Sequence, residues 1–256
     1  MPFSFDFEPP EVHLERAPIV RTLCQIRFSA VPELVDDESE RKLAEVLKEQ
    51  YPVRGWVEGM AIPFTGGESI RPEKFRTFED ADGIWKVTVS PDFLALETQG
   101  YGSRRDFVKR IRVAIEAVLA VQQPPKVTRI GLRYTNRIDE PEGIAELVNP
   151  ALLGWIPEVS DHSILRHQVI QTMLNHPVDD SKVLVQSLFL PPMAIFDPTI
   201  KAIDRQSWVL DIDTFNERAR RFEKDSLADQ VESLAVHAYQ VFYWSVNETF
   251  RQNYRD

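Results

Sequence analysis

The chain has 256 residues, and its 40 acidic side chains exceed its 30 basic ones, so the formal net charge at neutral pH is −10. Apolar residues make up 43 % of the chain and charged residues 27 %, which are proportions of a globular protein and exclude intrinsic disorder. The acidic balance disfavours indiscriminate coating of DNA, and the single cysteine, Cys24, excludes an internal disulfide and any multi-cysteine metal centre.

The first part of the chain predicts four strands and two helices. The strands are expected at residues 18–28, 74–79, 84–98 and 126–139, with a bulge or break in the third at Ser90-Pro91-Asp92. The helices are expected at about residues 36–51 and 103–119, before Pro52 and Pro124 and with Ser103 as a cap. Between them, the glycine-rich stretch 53–72 indicates a loop or a hairpin.

This order of elements, β-α-β-β-α-β, is that of a ferredoxin-like unit, in which the first and last strands lie side by side. We therefore expect residues 1–140 to form a ferredoxin-like half of an α+β protein. The second half, residues 141–256, predicts a short helix, three antiparallel strands and a long C-terminal helix at residues 143–153, 164–174, 183–190, 207–213 and 227–250. Apolar residues cover most of the last helix, so we expect it to be packed on more than one side and the two halves to share an interface.

Arginines recur on one face of the first and last strands of the ferredoxin-like half. They are Arg21, Arg27, Arg129, Arg133 and Arg137. If the two strands are neighbours, all five guanidinium groups project from the same face of the sheet. Such groups bind phosphate oxygens and stack on bases, so one hypothesis is a site for a phosphate-bearing ligand, a nucleotide or nucleic acid. The alternatives are a solvated face and a face paired with acidic residues of the second half, namely Asp204, Asp211, Asp213 and Glu217.

Metal-binding and catalytic motifs are scarce. Asp211 and Asp213 lie on one face of a predicted strand, where they offer two carboxylates either to a divalent cation or to neighbouring arginines. The histidines predict no ligand pair, since His162 and His167 point to opposite faces of a strand and His237 suits a semi-buried, hydrogen-bonded position. No nucleophile elbow, P-loop or dinucleotide-binding motif occurs, so we expect no catalytic residue and no cofactor.

Phe3, Phe5 and Phe7 alternate with small or acidic residues near the start of the sequence. The alternation indicates an edge strand or an arm. Such a segment either packs on its own domain or pairs with a partner chain, so the three phenylalanines are candidate partner-binding residues.

Several segments together resemble a sporadically distributed bacterial protein family of about this length. They are Ala17-Pro18-Ile19-Val20, Gln25-Ile26-Arg27-Phe28, Tyr51-Pro52, Gly131-Leu132-Arg133-Tyr134-Thr135-Asn136-Arg137-Ile138, Leu210-Asp211-Ile212-Asp213 and a Leu-rich terminal helix with His237. The stretch 131–138 is the most specific, whereas Arg21 stands where the family pattern has an acidic residue. The family has no assigned activity, so the resemblance implies a bacterial cytoplasmic setting and no catalytic residues. Its patchy distribution is compatible with accessory systems such as phage defence or toxin neutralisation.

Two functional hypotheses follow from the sequence. The leading one is a non-catalytic bacterial binding protein that forms part of a protein complex, with a protein partner or a second copy of the chain. The alternative is an enzyme or sensor that holds a phosphate-bearing ligand, nucleotide or RNA on the arginine face. The sequence shows no secretory signal and no apolar run near the ~20 residues of a membrane span, so we expect a cytoplasmic protein without membrane contact.

Overall fold

The computed structural model describes residues 2–61, 71–139, 141, 143–159 and 164–255. Within them, one antiparallel sheet contains β1 (Ile19–Phe28), β2 (Val53–Ala61), β3 (Arg71–Glu79), β4 (Trp85–Val89), β5 (Phe93–Thr98), β6 (Val127–Asp139), β7 (Gln168–Asn175), β8 (Lys182–Leu190) and β9 (Ser207–Asn216). The hydrogen-bonded order of the strands is β2-β3-β4-β5-β1-β6-β9-β8-β7. The α-helices are α1 (Asp37–Leu47), α2 (Arg104–Val121), α3 (Lys224–Ser245) and α4 (Glu248–Asn253), and shorter 3-10 turns occupy Pro32–Val35, Ile144–Glu146, Pro150–Leu152 and Ile156–Glu158. The α+β class is therefore confirmed.

The chain divides into two compact units, and each is assembled from separate segments. Unit 1 contains Met1–Thr22, Leu132–Asn216 and Ser233–Asp256, and unit 2 contains Leu23–Gly131 and Glu217–Glu232. As a result, β1, β6 and α3 each pass from one unit to the other. This division differs from the predicted halves 1–140 and 141–256, because compact units follow contacts between segments that are distant in the sequence.

In unit 2, α2 confirms the helix predicted at residues 103–119. Ser103 caps it, because the side-chain oxygen of Ser103 accepts a hydrogen bond from the Asp106 N–H at 3.1 Å. The buried side chains of α2 recur every three or four residues, as one apolar helix face requires; among them are Phe107, Ile111, Ala114, Ile115 and Val118. α1 lies against α2 and buries Leu43 and Leu47. Both helices therefore contribute to the core of unit 2.

The stretch 53–72 contains β2 and the first residues of β3, as the hairpin alternative of the sequence prediction requires. Strand β2 pairs antiparallel with β3 along its whole length. Gly55 allows the close approach of these strands, because a Cβ at this position would lie 2.8 Å from Thr77 Oγ1. Glycine here marks strand packing rather than a turn. Residues 62–70 of the stretch lie outside the described residues.

Two predicted helices differ from the structure. Residues 143–153 form 3-10 turns instead of one helix, because Pro150 lacks the N–H that would continue a helical ladder. The helix predicted at residues 227–250 ends at Ser245, and Asn247 then caps the separate helix α4. Among the described residues, no helix combines the length and the apolar character that a membrane span requires.

In unit 1, strands β7, β8 and β9 form an antiparallel meander. The core-facing residues of α3 in this unit are those predicted from the helical period, including the buried Leu234, Ala238 and Val241. Thr214 of β9 is buried, and its Oγ1 lies 3.1 Å from the Leu234 carbonyl oxygen. This hydrogen bond joins the helix to the sheet within unit 1.

Gly83 provides a test of the turn between β3 and β4, since its φ of 66° lies in the left-handed region. We predict that Gly83→Ala lowers the free energy of unfolding by about 1 kcal/mol, because a Cβ is strained in that conformation. Gly102→Ala is the matched control: an added Cβ has nothing within 4 Å at either glycine, and only Gly83 has a positive φ. Urea unfolding of the three chains checks the prediction, and equal midpoints for the two variants would contradict it.

Candidate functional site

The five predicted arginines are divided between the two units. Arg21, Arg133 and Arg137 belong to unit 1, and Arg27 and Arg129 belong to unit 2. Arg27 is exposed, and its Nε donates to Gln25 Oε1 at 2.9 Å. The guanidinium of Arg129 is half-buried and lies against Gly131, where an added Cβ would come within 2.9 Å of the Arg129 Cζ. Each of these two side chains therefore has a neighbour on its own strand.

In unit 1, one carboxylate joins the arginines of β1 and β6. Asp197 Oδ2 accepts from Arg21 Nη1 at 3.0 Å and from Arg133 Nη1 at 3.1 Å. The other oxygen, Oδ1, accepts from the Thr199 N–H at 2.9 Å and from the Thr199 hydroxyl at 2.6 Å. Because Asp197 and Arg21 are buried, protein partners take the place of water around both charges.

Asp211 of β9 completes this network and is 2 % exposed. Arg133 Nε donates to both oxygens of Asp211, at 2.8 and 3.0 Å, and Thr135 Oγ1 donates to Oδ1 at 2.8 Å. Asp213, the other predicted metal ligand, is half-buried. A metal ion held by Asp211 would therefore have to displace the Arg133 guanidinium, and the arrangement matches the arginine-paired alternative for this strand.

The connection between β8 and β9, residues 191–206, carries Asp197 and also binds the third arginine of unit 1. Arg137 Nη1 donates to the Lys201 carbonyl at 2.9 Å, and Arg137 Nε donates to Asp139 Oδ1 at 3.0 Å. The β8–β9 connection therefore provides acceptors for arginines of both β1 and β6.

Charges within the network shift the ionisation of its members. Burial alone lowers the pKa of Arg133, but the neighbouring aspartates, Asp211 first, raise it above its ordinary value. Burial alone raises the pKa of Asp197, but the hydrogen bonds from Thr199 and the charges of the two arginines hold it below its ordinary value. Both pKa shifts favour the charged forms of Arg133 and Asp197 at neutral pH.

Sequence reasoning missed Asp197. It named Asp204, Asp211, Asp213 and Glu217 as acidic partners, and of these Asp204 is exposed and lies 3.7 Å from Arg205. The segment Asp197-Pro198-Thr199 carries a local signal, since an aspartate that accepts from the N–H two residues later forms an Asx-turn. Phe196 packs beside it on a cluster of buried residues of unit 1, namely Leu188, Leu190 and Val209. This packing holds the β8–β9 connection against the sheet.

The Phe arm, residues 2–10, contains no strand and packs on α3. Gln240 Nε2 donates to the carbonyl oxygens of Phe5 and Phe7 at 3.0 and 2.8 Å. The ring of Phe3 lies 5.7 Å from the ring of Trp244. These contacts correspond to the alternative in which the arm packs on its own domain, and partner binding by Phe3, Phe5 and Phe7 stays a prediction.

Phe5 also contacts two stacked histidines beside a carboxylate, which we call the His–Asp–His cluster: His176, Asp179 and His237. The histidine ring centroids are 4.1 Å apart, and the Phe5 ring meets both edge-on at 4.8 and 5.9 Å. Asp179 Oδ1 lies 2.9 Å from His176 Nδ1, and Asp179 Oδ2 lies 3.5 Å from His237 Nε2. His237 is 7 % exposed, and burial holds its pKa below the ordinary value although Asp179 opposes the shift.

The sequence predicted no ligand pair among the histidines, and it did not connect His176 with His237. His162 lies outside the described residues, and His167 is exposed just before β7. The missed signal is the spacing of His176 and Asp179, three residues apart within the turn that follows β7, because such spacing places both side chains on one side of a tight turn. The third member, His237, comes from α3, and no local pattern connects it with the other two.

Comparison with models of protein families finds no match to this chain, and comparison with curated proteins finds no relative. The resemblance of residues 131–138 to a bacterial family therefore stays a prediction.

Asp197→Asn tests the buried network, because it removes the shared charge and keeps the size of the side chain. We predict that it lowers the free energy of unfolding at pH 7 by about 3 kcal/mol, since it removes the carboxylate that the buried Arg21 guanidinium contacts, while Arg133 keeps Asp211. The folded-state pKa of Asp197 lies below its unfolded value, so this stabilisation is present above the unfolded pKa and is lost as the pH falls through the folded pKa. The difference between the two chains should therefore shrink below about pH 4.

Urea unfolding over a series of pH values measures this difference. Glu38→Gln is the control, because Glu38 forms an exposed ion pair with Lys42 at 3.0 Å and its loss should leave the midpoint unchanged. Equal stability of wild type and Asp197→Asn at pH 7, or a difference that does not decrease in acid, would contradict the prediction.

Proposed function

We propose that this chain is a non-catalytic binding protein of the bacterial cytoplasm that works as a component of a protein complex, by pairing strand β7 with a strand of another polypeptide. The observation that carries the proposal is the exposed, uncharged edge formed by β7. In the strand order of the described residues, β7 comes last and has only β8 as a neighbour.

Strand β7 lacks the features that usually protect the edge of a sheet. Its sequence, QVIQTMLN, contains no charged residue and no proline, whereas edge strands normally carry charges, prolines or bulges that prevent pairing. Val169 is 47 % and Met173 is 50 % exposed, and both lie on the same side of the strand because side chains alternate. An added strand would pair the backbone of this edge and cover the two side chains.

An exposed tryptophan lies beside the start of β7. The N–H of Trp155 donates to Gln168 Oε1 at 2.7 Å, and Gln168 Nε2 donates to the Leu153 carbonyl at 2.9 Å. These bonds fix the backbone of Trp155 next to the first residue of the strand. Tryptophan is enriched among the residues that contribute most to protein interfaces, so Trp155 supplies an anchor close to the edge.

The strand at the other end of the order, β2, is a weaker candidate. Its sequence, VRGWVEGMA, includes Arg54 and Glu58 as well as two glycines. Charges on an edge strand disfavour pairing with a second chain, and glycine weakens a strand. Although Trp56 of this strand is exposed, β7 has the more suitable composition.

The alternative function, an enzyme or sensor for a phosphate-bearing ligand, nucleotide or RNA, has less support. It requires that Arg129, Arg133 and Arg137 bind anionic oxygens of the ligand, and Arg133 already binds Asp197. A ligand phosphate would have to replace this buried carboxylate. The interaction hypothesis requires no such exchange.

We also propose that β1, α1, β4, β5, α2 and β6 form a ferredoxin-like core into which β2 and β3 are inserted as a hairpin. The order β4-β5-β1-β6 within the sheet supports this topology. Membership of the bacterial family that residues 131–138 resemble belongs to the same proposal, and it would place the complex in an accessory system of the cell.

Val169→Lys tests the β7 edge, since a lysine at an edge strand disfavours strand addition. Val178→Lys is the matched control, because Val178 is 84 % exposed in the turn after β7 and outside the strand. We expect that in-cell cross-linking of the tagged full chain in its native host yields a specific protein adduct with the wild type and with Val178→Lys. With Val169→Lys the yield should fall by about tenfold or more, which corresponds to at least 1.4 kcal/mol of binding free energy.

Sedimentation equilibrium of the purified chains identifies the adduct when the partner is a second copy, since only wild type and Val178→Lys would then dimerise. Thermal unfolding confirms that Val169→Lys is folded. Identical adducts from all three chains would contradict the role of β7, and a monomeric wild type without any adduct would contradict the interaction hypothesis itself.

A further inference from the structure

We propose that His176, Asp179 and His237 form a binding site for a divalent transition-metal ion, and that Zn²⁺ is the ion which this ligand set fits. The site is independent of the proposed strand pairing at β7. It lies in unit 1, between the turn that joins β7 to β8 and the helix α3.

The turn presents two of the three ligands. Its ends are joined, because the His176 N–H donates to the Ser181 carbonyl at 2.8 Å. Asp180 adopts a positive φ of 58°, which reverses the chain immediately after Asp179. Asp179 is further fixed by Asn216, whose Nδ2 donates to the Asp179 carbonyl at 2.8 Å. The backbone of the turn therefore holds His176 and Asp179 in place before any ion binds.

The distances between the ligand atoms suit a small ion. Around tetrahedral Zn²⁺, with bonds near 2.0–2.1 Å, ligand atoms lie about 3.4 Å from one another. Asp179 approaches the two imidazoles with different oxygens: Oδ1 lies 2.9 Å from His176 Nδ1, and Oδ2 lies 3.5 Å from His237 Nε2. One ligand atom from each residue lies within 4.8 Å of the others. The two rings are stacked with 20° between their planes, so one imidazole has to rotate before both lone pairs reach the same ion.

A cation can take the place of the proton between His176 and Asp179. His176 Nδ1 lies 2.9 Å from Asp179 Oδ1, which is a hydrogen-bond distance when the imidazole carries its proton on Nδ1. The N–H groups of Val178 and Asp179 lie 3.4 and 3.3 Å from the same nitrogen. An ion bound here would therefore replace one hydrogen bond of the cluster.

His237 is the buried ligand of the site, 7 % exposed. Its Nε2 is 3.5 Å from the Asp179 carboxylate, which is long for a hydrogen bond. An ion beside Asp179 would bind Nε2 in place of this long contact. Nδ1, on the other side of the ring, has no hydrogen-bond partner among the described residues and is not a ligand atom for this ion.

The surroundings provide a second layer around the ligands. Asp179 Oδ1 accepts from the Ser181 N–H at 3.0 Å, and Ser233 Oγ lies 3.5 Å from Asp179 Oδ2. The Phe5 ring covers the edges of both imidazoles, which lowers the local polarity. Two imidazoles and one carboxylate select Zn²⁺ over Mg²⁺, because Mg²⁺ prefers oxygen ligands only, and they leave one tetrahedral position for water.

Calorimetric titration of the untagged, chelator-treated full chain with ZnCl₂ tests the proposal. We expect one Zn²⁺ per chain with sub-micromolar affinity, no measurable binding of Mg²⁺, and visible absorption bands of tetrahedral Co²⁺ when cobalt replaces zinc. His237→Gln and His176→Gln should each weaken Zn²⁺ binding by about 100-fold or more. His167→Gln is the control, since His167 is exposed and outside the cluster, and it should bind as the wild type does.

A thermal unfolding series keeps the test independent of calorimetry. Zn²⁺ should raise the unfolding temperature of the wild type and of His167→Gln but not of the cluster variants, because only a site present in the folded state stabilises it. His176→Gln lies on the turn and remains informative where substitution of the buried His237 prevents folding. Absence of Zn²⁺ binding to the wild type, or equal binding by His176→Gln and His167→Gln, would overturn the proposal and leave the role of β7 unaffected.

Discussion

The shared carboxylate of Asp197 allows unit 1 to bury guanidinium groups from two different strands. A buried guanidinium group without a nearby carboxylate would destabilise the folded protein, because its desolvation costs several kcal/mol. Asp197 and Asp211 together supply two negative charges for Arg21 and Arg133, so the local balance is neutral. The course of the β8–β9 connection depends on this charge balance, because the connection has to bring Asp197 over the sheet. The net charge of −10 does not reveal this arrangement, because the two arginines and two aspartates of the network lie together inside unit 1.

Sequence patterns with a local cause predicted their elements well. The cap at Ser103 and the helical period after it predict α2, and the alternation of apolar and polar residues predicts β6, because both signals arise within one element. The break at residues 90–92 likewise separates β4 from β5. The glycines of residues 53–61 left both a loop and a hairpin open, since the same residue type permits a turn or a close approach of strands, and only the neighbouring strand decides between them.

Contacts between distant residues could not be predicted in the same way. Asp197 is separated from Arg21 by 176 positions and from Arg133 by 64, and it lies in a proline-rich connection without a periodic pattern. The arginine face itself was visible in the sequence, as was Asp211, but the choice among candidate acids depended on where the chain crosses the sheet. His176 and His237 present the same difficulty, because the turn and the helix that carry them meet only in the folded unit.

The two proposals concern opposite ends of one strand. Val169 lies near the start of β7, and His176 follows its last residue, so about 23 Å of extended chain separates them at 3.3 Å per residue. A partner strand would contact the open edge, whereas an ion would join the far end of the strand to α3. Each site therefore acts on β7 through different atoms, and both would limit the motion of the same strand.

The segmented composition of unit 1 determines when it can fold during synthesis. The first strand of the chain contributes residues up to Thr22 to this unit, while α3 contributes residues from Ser233 onward. More than half of the chain must leave the ribosome before these segments can meet, which takes on the order of 10 s or longer at about 5–20 residues per second. Strand β6 pairs with β1 and is made much earlier than α3, but Asp197 follows Arg21 only after 176 positions. The guanidinium of Arg21 therefore stays in water for most of the synthesis and is buried only after the β8–β9 connection has been made.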